Sequence, residues 1–83
     1  MKKTYVEGSE FKKFRKEVLH KEIHSMAAFL GRTDEAIEKF EDNGIVASFD
    51  AEITKRSLEL HLEHNCFTPE QRVAVEAFVA KLA

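Results

Sequence analysis

The chain has no tryptophan, a single cysteine, one proline and three glycines in 83 residues. One thiol, Cys66, excludes an internal disulfide and with it the stapled scaffolds of small secreted domains. So little proline and glycine excludes a loop-rich or low-complexity chain. No apolar run approaches the ~20 residues of a membrane span. The amino terminus, MKKTYVEGSE, carries lysines with no apolar stretch after them, which is not the pattern of a secretory signal. Phosphate-cradling glycine loops and nucleophile motifs are also missing, so neither an enzyme nor a bound cofactor is expected. The expectation is a cytoplasmic protein with no membrane association.

What is present suits one small domain. Hydrophobic residues make up 43% of the chain and seven are phenylalanine, enough for one core at a size that leaves little stability margin. The net charge of −2 hides an asymmetry. Residues 1–21 hold seven basic side chains (Lys2, Lys3, Lys12, Lys13, Arg15, Lys16, Lys21) against three acidic ones, whereas residues 22–83 hold six basic and twelve acidic. The first segment can meet phosphate and the remainder would be repelled by it.

Ser9 suits an N-cap, with Glu10 where the helix dipole favours an anion. Phe11, Phe14, Val18 and Leu19 then mark one face of a helix from about 10 to 19. Ile23, Met26, Ala27 and Leu30 mark a second helix, ended by Gly31. Thr33 caps a third, with Asp34 and Glu35 in its first turn, Ile37 and Phe40 on its inner face, and Asp42-Asn43-Gly44 as its stop. The carboxyl-terminal helix is the most plainly written. Thr68-Pro69-Glu70-Gln71 is a capping box with proline at the first helical position, followed by Val75, Phe78, Val79 and Leu82 on one face.

Residues 45–64 carry two signals. Ile45, Ala47, Phe49, Ala51 and Ile53 alternate with polar or smaller residues, as do Leu58, Leu60 and Leu62, which fits a β-hairpin turning at Thr54-Lys55-Arg56. That turn lacks glycine and asparagine, and the segment is rich in helix formers. A helix capped by Asp50 and ended by Asn65 is the preferred reading, apolar on two sides: Phe49, Ile53 and Leu60 opposite Ala51, Leu58 and Leu62. The expected fold is therefore all-α, a compact five-helix domain, with an α+β fold carrying a hairpin at about 45–64 as the alternative.

In the first half, Met26 and Leu30 lie one turn apart, Ala27 is small where a crossing helix comes close, and Gly31 follows four residues later. Ile37 and Phe40 lie six and nine residues beyond that glycine. Over residues 9–46 this pattern resembles the lambda-repressor-like (Cro-type) helix-turn-helix family. Phe11-Lys-Lys-Phe-Arg15 is similar to that family's first helix, Met26 to Gly31 to its second helix and turn, and Ile37 to Gly44 to the end of its recognition helix. The resemblance implies a small transcriptional regulator, repressor-like, of phage, plasmid or bacterial origin. Its third helix, at about 33–43, would enter the major groove of double-stranded DNA. Thr33, Asp34, Glu35 and Ala36 would then be nearest the bases, with Arg32, Lys39 and Lys21 beside them or near phosphate. Val75, Phe78, Val79 and Leu82 are candidates for a homodimer contact. The sequence departs from the family at Arg32, where a small aliphatic residue is usual, and in the outward face of the third helix, which reads Asp34, Glu35, Glu38 and Lys39.

That acidic face motivates a second expectation: a helical protein-interaction module or inhibitor that binds a host protein instead of DNA. The histidine pair His20 and His24, and the cluster His61, His64 and Cys66, contain zinc-ligand residue types, but their spacing fits no familiar finger and no metal is expected.

Overall fold

A computed structural model describes residues 3–64 and 66–83. Lys2 and the Asn65 terminator lie outside the described residues. The chain is an all-α domain of five helices: α1 (Gly8–Lys13), continued without a break as a π-helical stretch (Phe14–Val18), then α2 (Ile23–Leu30), α3 (Asp34–Asn43), α4 (Ser48–Glu63) and α5 (Pro69–Lys81). The hairpin alternative is not realised. Among the described residues the only β pairing is a single antiparallel bridge between Val6 and Ile45.

Four phenylalanines, one or two from each of three helices, form the centre of the core. Phe11 meets Phe40 edge to face at 5.5 Å, and Phe14 stacks on Phe78 at 4.0 Å. Such pairs add about 0.5–1.5 kcal/mol each beyond the area they bury. Met26, Leu30, Ile37, Leu58 and Val75 complete the core, each buried. A satellite cluster lies beside it, where His61 stacks on Phe29 at 3.8 Å and Phe67 meets Phe29 edge to face.

Local starts and stops depart from expectation in instructive ways. α1 begins at Gly8 with Glu7 at the cap position and no side-chain cap, one residue before the expected Ser9 cap. Glycine is required there because a Cβ on Gly8 would lie 2.2 Å from the carbonyl oxygen of Glu41. The first helix ends through a wide turn, with Leu19 N–H donating to Phe14 O at 3.1 Å and Lys21 N–H to Arg15 O at 3.0 Å. His20 closes it in the left-handed region at φ 53°, a conformation that costs a non-glycine residue roughly 1–2 kcal/mol. α4 starts at Ser48, two residues before the expected Asp50 cap, and Asp50 is used elsewhere. Only one of its two apolar sides is covered. Ala51 and Leu58 are buried and Leu62 is half-buried, while Phe49 and Leu60 face outward at 69% and 55% exposure. α5 starts as expected, with both hydrogen bonds of the Thr68–Gln71 capping box made.

Two substitutions test this packing. Thr54, on the inner side of α4, is fully buried and its hydroxyl has no hydrogen-bond partner. An unpaired buried hydroxyl costs free energy that an isosteric methyl does not. Thr54→Val is expected to raise the unfolding free energy by about 1 kcal/mol, read from the urea midpoint. Gly8→Ala drives a methyl into the Glu41 backbone and is expected to lower it by about 2 kcal/mol or more in the same measurement.

Candidate functional site

The site builds outward from the turn between α2 and α3. Gly31 ends α2 in the left-handed region at φ 67°, which lets Arg32 N–H donate to Ala27 O at 2.8 Å and close the last turn. The chain then reverses within two residues. Thr33 opens α3, its Oγ1 accepting the Ala36 N–H at 3.2 Å. Ile37 and Phe40 hang from the inner side of α3 into the core, so the helix is fixed by its back. Glu35, Glu38, Lys39 and Asp42 are exposed and, being three and four residues apart, share the outer side.

A buried ion pair locks the far end of α3. Arg15, from the π-helical stretch, meets the Glu41 carboxylate with two nitrogens: Nε on Oε2, and NH2 on Oε1 at 3.2 Å. Its NH1 also donates to the carbonyl of Lys21 at 2.8 Å, in the link to α2. The two side chains are 8% and 10% exposed, so the charges are removed from water and each depends on the other. Phe14 and Arg15, adjacent residues at the start of the π stretch, are both buried. The two partners are 26 residues apart and no periodicity announces the pairing. The resemblance takes in Arg15, in its first-helix motif, and Glu41, within Ile37 to Gly44, without pairing them.

The residues expected to meet DNA do not form one group. Thr33, Glu35 and Lys39 are exposed on α3 or at its start. Arg32 turns away: its NH2 bonds Asp50 Oδ1 at 2.9 Å and its guanidinium lies 5.5 Å from the Phe40 ring centre, fastening the turn to the start of α4. Lys21 is half-buried with its ammonium 4.6 Å from the Phe29 ring centre. Asp34 is met by His24 across the turn, Nδ1 to Oδ1 at 3.2 Å, a contact that sequence spacing did not foretell. The loop from α3 to α4, Ile45 to Ala47, contains no cation.

Of the dimer candidates, Val75, Phe78 and Leu82 are buried within the chain's own core and Val79 is half-buried, so this stripe is the inner face of α5. The histidines are likewise engaged or dispersed, with His24 on Asp34 and His61 donating from Nε2 to Phe29 O at 2.8 Å.

Comparison of the chain with family models, curated proteins and solved structures finds no match in any of the three.

Removing one partner of the Arg15–Glu41 pair strands the other charge. Arg15→Ala or Glu41→Ala is expected to cost about 3–5 kcal/mol by urea unfolding, and the double replacement Arg15→Met with Glu41→Leu distinctly less than either. A double replacement that costs the sum of the two single losses would show that the pair is not coupled.

Proposed function

We propose that the chain is a helix-turn-helix DNA-binding regulator in which α3 enters the major groove. The observation that supports this best is the α2–Gly31–α3 unit itself. It is a short helix pair around a left-handed glycine, in which the second helix is held by its back and by a buried ion pair while its outer side stays free. A helix so held presents its side chains without an ordering cost at the moment of binding. An α-helix with its side chains is about 10–12 Å across, which suits a groove about 12 Å wide.

The roles follow from the chemistry of the exposed groups. Glu35, in the first turn, accepts from a cytosine amino group, and Thr33, whose oxygen already accepts from Ala36, has a hydroxyl proton to donate. Lys39, one turn on, is the phosphate contact. Further positive charge comes from Lys12, Lys13 and Lys16, exposed on the first helix with no ion-pair partner among the described residues. With Arg32 tied to Asp50, few cations remain near α3, so the reading carries a specific consequence: weak affinity for random sequence and a shallow salt dependence.

A second reading has its own observation. Asp34, Glu35, Glu38 and Asp42 outnumber the one lysine on the outer side of α3, and Phe49 stands exposed on α4 beside the Arg32–Asp50 pair. A carboxylate-rich helix side and an exposed aromatic suit a basic protein surface, which makes the chain an interaction module or inhibitor directed at a host protein.

Fluorescence anisotropy with duplexes from upstream of the chain's own gene, and with random duplex, separates the two between roughly 50 and 200 mM salt. The DNA reading expects one duplex to be preferred. Lys39→Ala should weaken binding to all sequences alike and reduce the salt slope by about one. Glu35→Ala should relax preference at a single base pair by about 1–3 kcal/mol. Failure to retain any duplex at the lowest salt defeats it. The protein reading then expects one stoichiometric partner, released by Glu35→Lys with Glu38→Lys.

A further inference from the structure

The side of α4 turned away from the core carries an apolar stripe. At 3.6 residues per turn, Phe49, Ile53 and Leu60 fall within about 40° of one another around the axis, opposite the buried Ala51, Thr54 and Leu58. Phe49 and Leu60 are two of the three large apolar side chains exposed among the described residues, and Ile53 between them is half-buried. Arg56 fills the gap between Ile53 and Leu60 with a methylene stem that is itself apolar. A lone exposed leucine is ordinary, whereas a row along one helix marks a contact surface.

The two edges of the stripe differ in charge. Glu52, Glu59 and Glu63, all exposed, run along one edge, with the half-buried Lys55 beyond them. Arg56 lies 3.9 Å from Glu52, while neither Glu59 nor Glu63 has an ion-pair partner among the described residues. Beside Leu60 the surface dips into a depression of about 280 Å³ bordered by Arg56, Glu59 and Glu63. The opposite edge is spent within the chain, since Asp50 is bonded to Arg32 and Ser57 to Phe29 O.

We infer that the outer side of α4 docks an amphipathic helix of a partner protein, one whose apolar side is bordered by lysine or arginine. Helices that meet along an apolar seam set their edges against each other, so a carboxylate edge selects a basic one. A cationic side chain of that helix fits the depression, its stem over Leu60 and its charge between Glu59 and Glu63, which stand one turn apart. Phe49 and Leu60, roughly 16 Å apart along the axis, anchor the two ends of the contact. The same charges decide against other occupants. A second copy brings three carboxylates of its own against Arg56 and Lys55. Helices that lie on membranes carry lysine and arginine at their polar edges, where α4 carries glutamate. Three anchors on one helix make a small interface, so an isolated partner helix dissociates at about 10–100 µM. The inference shares Phe49 with the protein-binding reading of α3 but stands whether α3 meets DNA or protein.

Fluorescence anisotropy with three labelled peptides of about 18 residues tests this: an amphipathic helix with a leucine stripe and a lysine edge, the same helix with a glutamate edge, and a scramble of the lysine peptide. The lysine-edged helix is expected to bind about tenfold more tightly than either of the others. Phe49→Gln and Leu60→Gln, both at exposed positions, should each weaken it about fivefold while leaving the melting temperature unchanged. Glu59→Lys with Glu63→Lys should reverse the preference to the glutamate-edged helix. Glu35→Lys with Glu38→Lys, on α3, should leave binding as it is, which separates this surface from that one. Equal binding of the lysine peptide and its scramble, indifference to Leu60→Gln, or loss through the α3 variant overturns the proposal. So does self-association in sedimentation velocity, or binding to anionic vesicles, that Leu60→Gln abolishes.

Discussion

The Arg15–Glu41 pair is the constraint on which the presentation of α3 depends. Three segments converge on one guanidinium: the first helix that carries it, the carboxyl end of α3 through Glu41, and the link to α2 through the Lys21 carbonyl. Because the pair is buried, neither charge can be left alone without a penalty of several kcal/mol, a large part of what an 83-residue domain has in total. The planar fork adds direction as well as strength, since two nitrogens on two oxygens fix the angle between the elements that carry them. The close approach of Gly8 to Glu41 belongs to the same junction, as does Gly44, whose φ of 80° leads into the Val6–Ile45 bridge. A Cβ on either glycine would push the amino-terminal segment off the end of α3.

A related economy appears at the helix ends. Each carboxyl terminus before α5 leaves carbonyls without helical partners, and several are met by a side chain from a later helix. Gln71 donates to Val18 O at the end of the first helix, and Ser57 and His61 both reach Phe29 O near the end of α2. Arg72 donates to Leu62 O near the end of α4. The links run from α4 to α2 and from α5 to both α1 and α4. Short helices of six to sixteen residues, marginal alone, are thus tied by hydrogen bonds as well as by the phenylalanine core.

Much of this was legible in local sequence and the rest was not, for physical reasons. Gly31, Thr33 and the Thr68–Gln71 box act within four residues of where they stand, so their spacing identifies them, and α2, α3 and α5 lie where that spacing predicts. The π stretch has no such mark. It accompanies the burial of Phe14 and Arg15 together, and Arg15 pairs with Glu41 far along the chain. In the segment 45–64 alternation and helical period overlap when leucines fall two apart, so a hairpin stayed open beside the preferred helix; the helix forms, covers the Leu58 side and leaves Phe49 and Leu60 in water. The stripe on α5 was ambiguous for a related reason, since an apolar stripe on a terminal helix looks the same whether it covers its own core or a neighbour's. Only burial tells them apart, and burial is a property of the assembled domain. At the candidate site, Arg32 looked free because its partner Asp50 was expected to cap α4.

Arginine and lysine have been divided between two tasks. Arg15 holds Glu41, Arg32 holds Asp50 and Arg72 holds a carbonyl, while Arg56 lies near Glu52 on the surface of α4. Three of the four guanidiniums are therefore turned toward the protein itself, where the directional fork is useful, and Arg56 stays at the surface. The cations left to solvent on the first helix and α3 are lysines: Lys12, Lys13, Lys16 and Lys39. An ammonium on a flexible stem attracts phosphate as a point charge without fixing its orientation. If a nucleic acid is the ligand, these lysines supply attraction and register has to come from the few polar groups at the start of α3. A rigid α3 is then a requirement, because three or four side chains can specify a position only if the helix beneath them does not move.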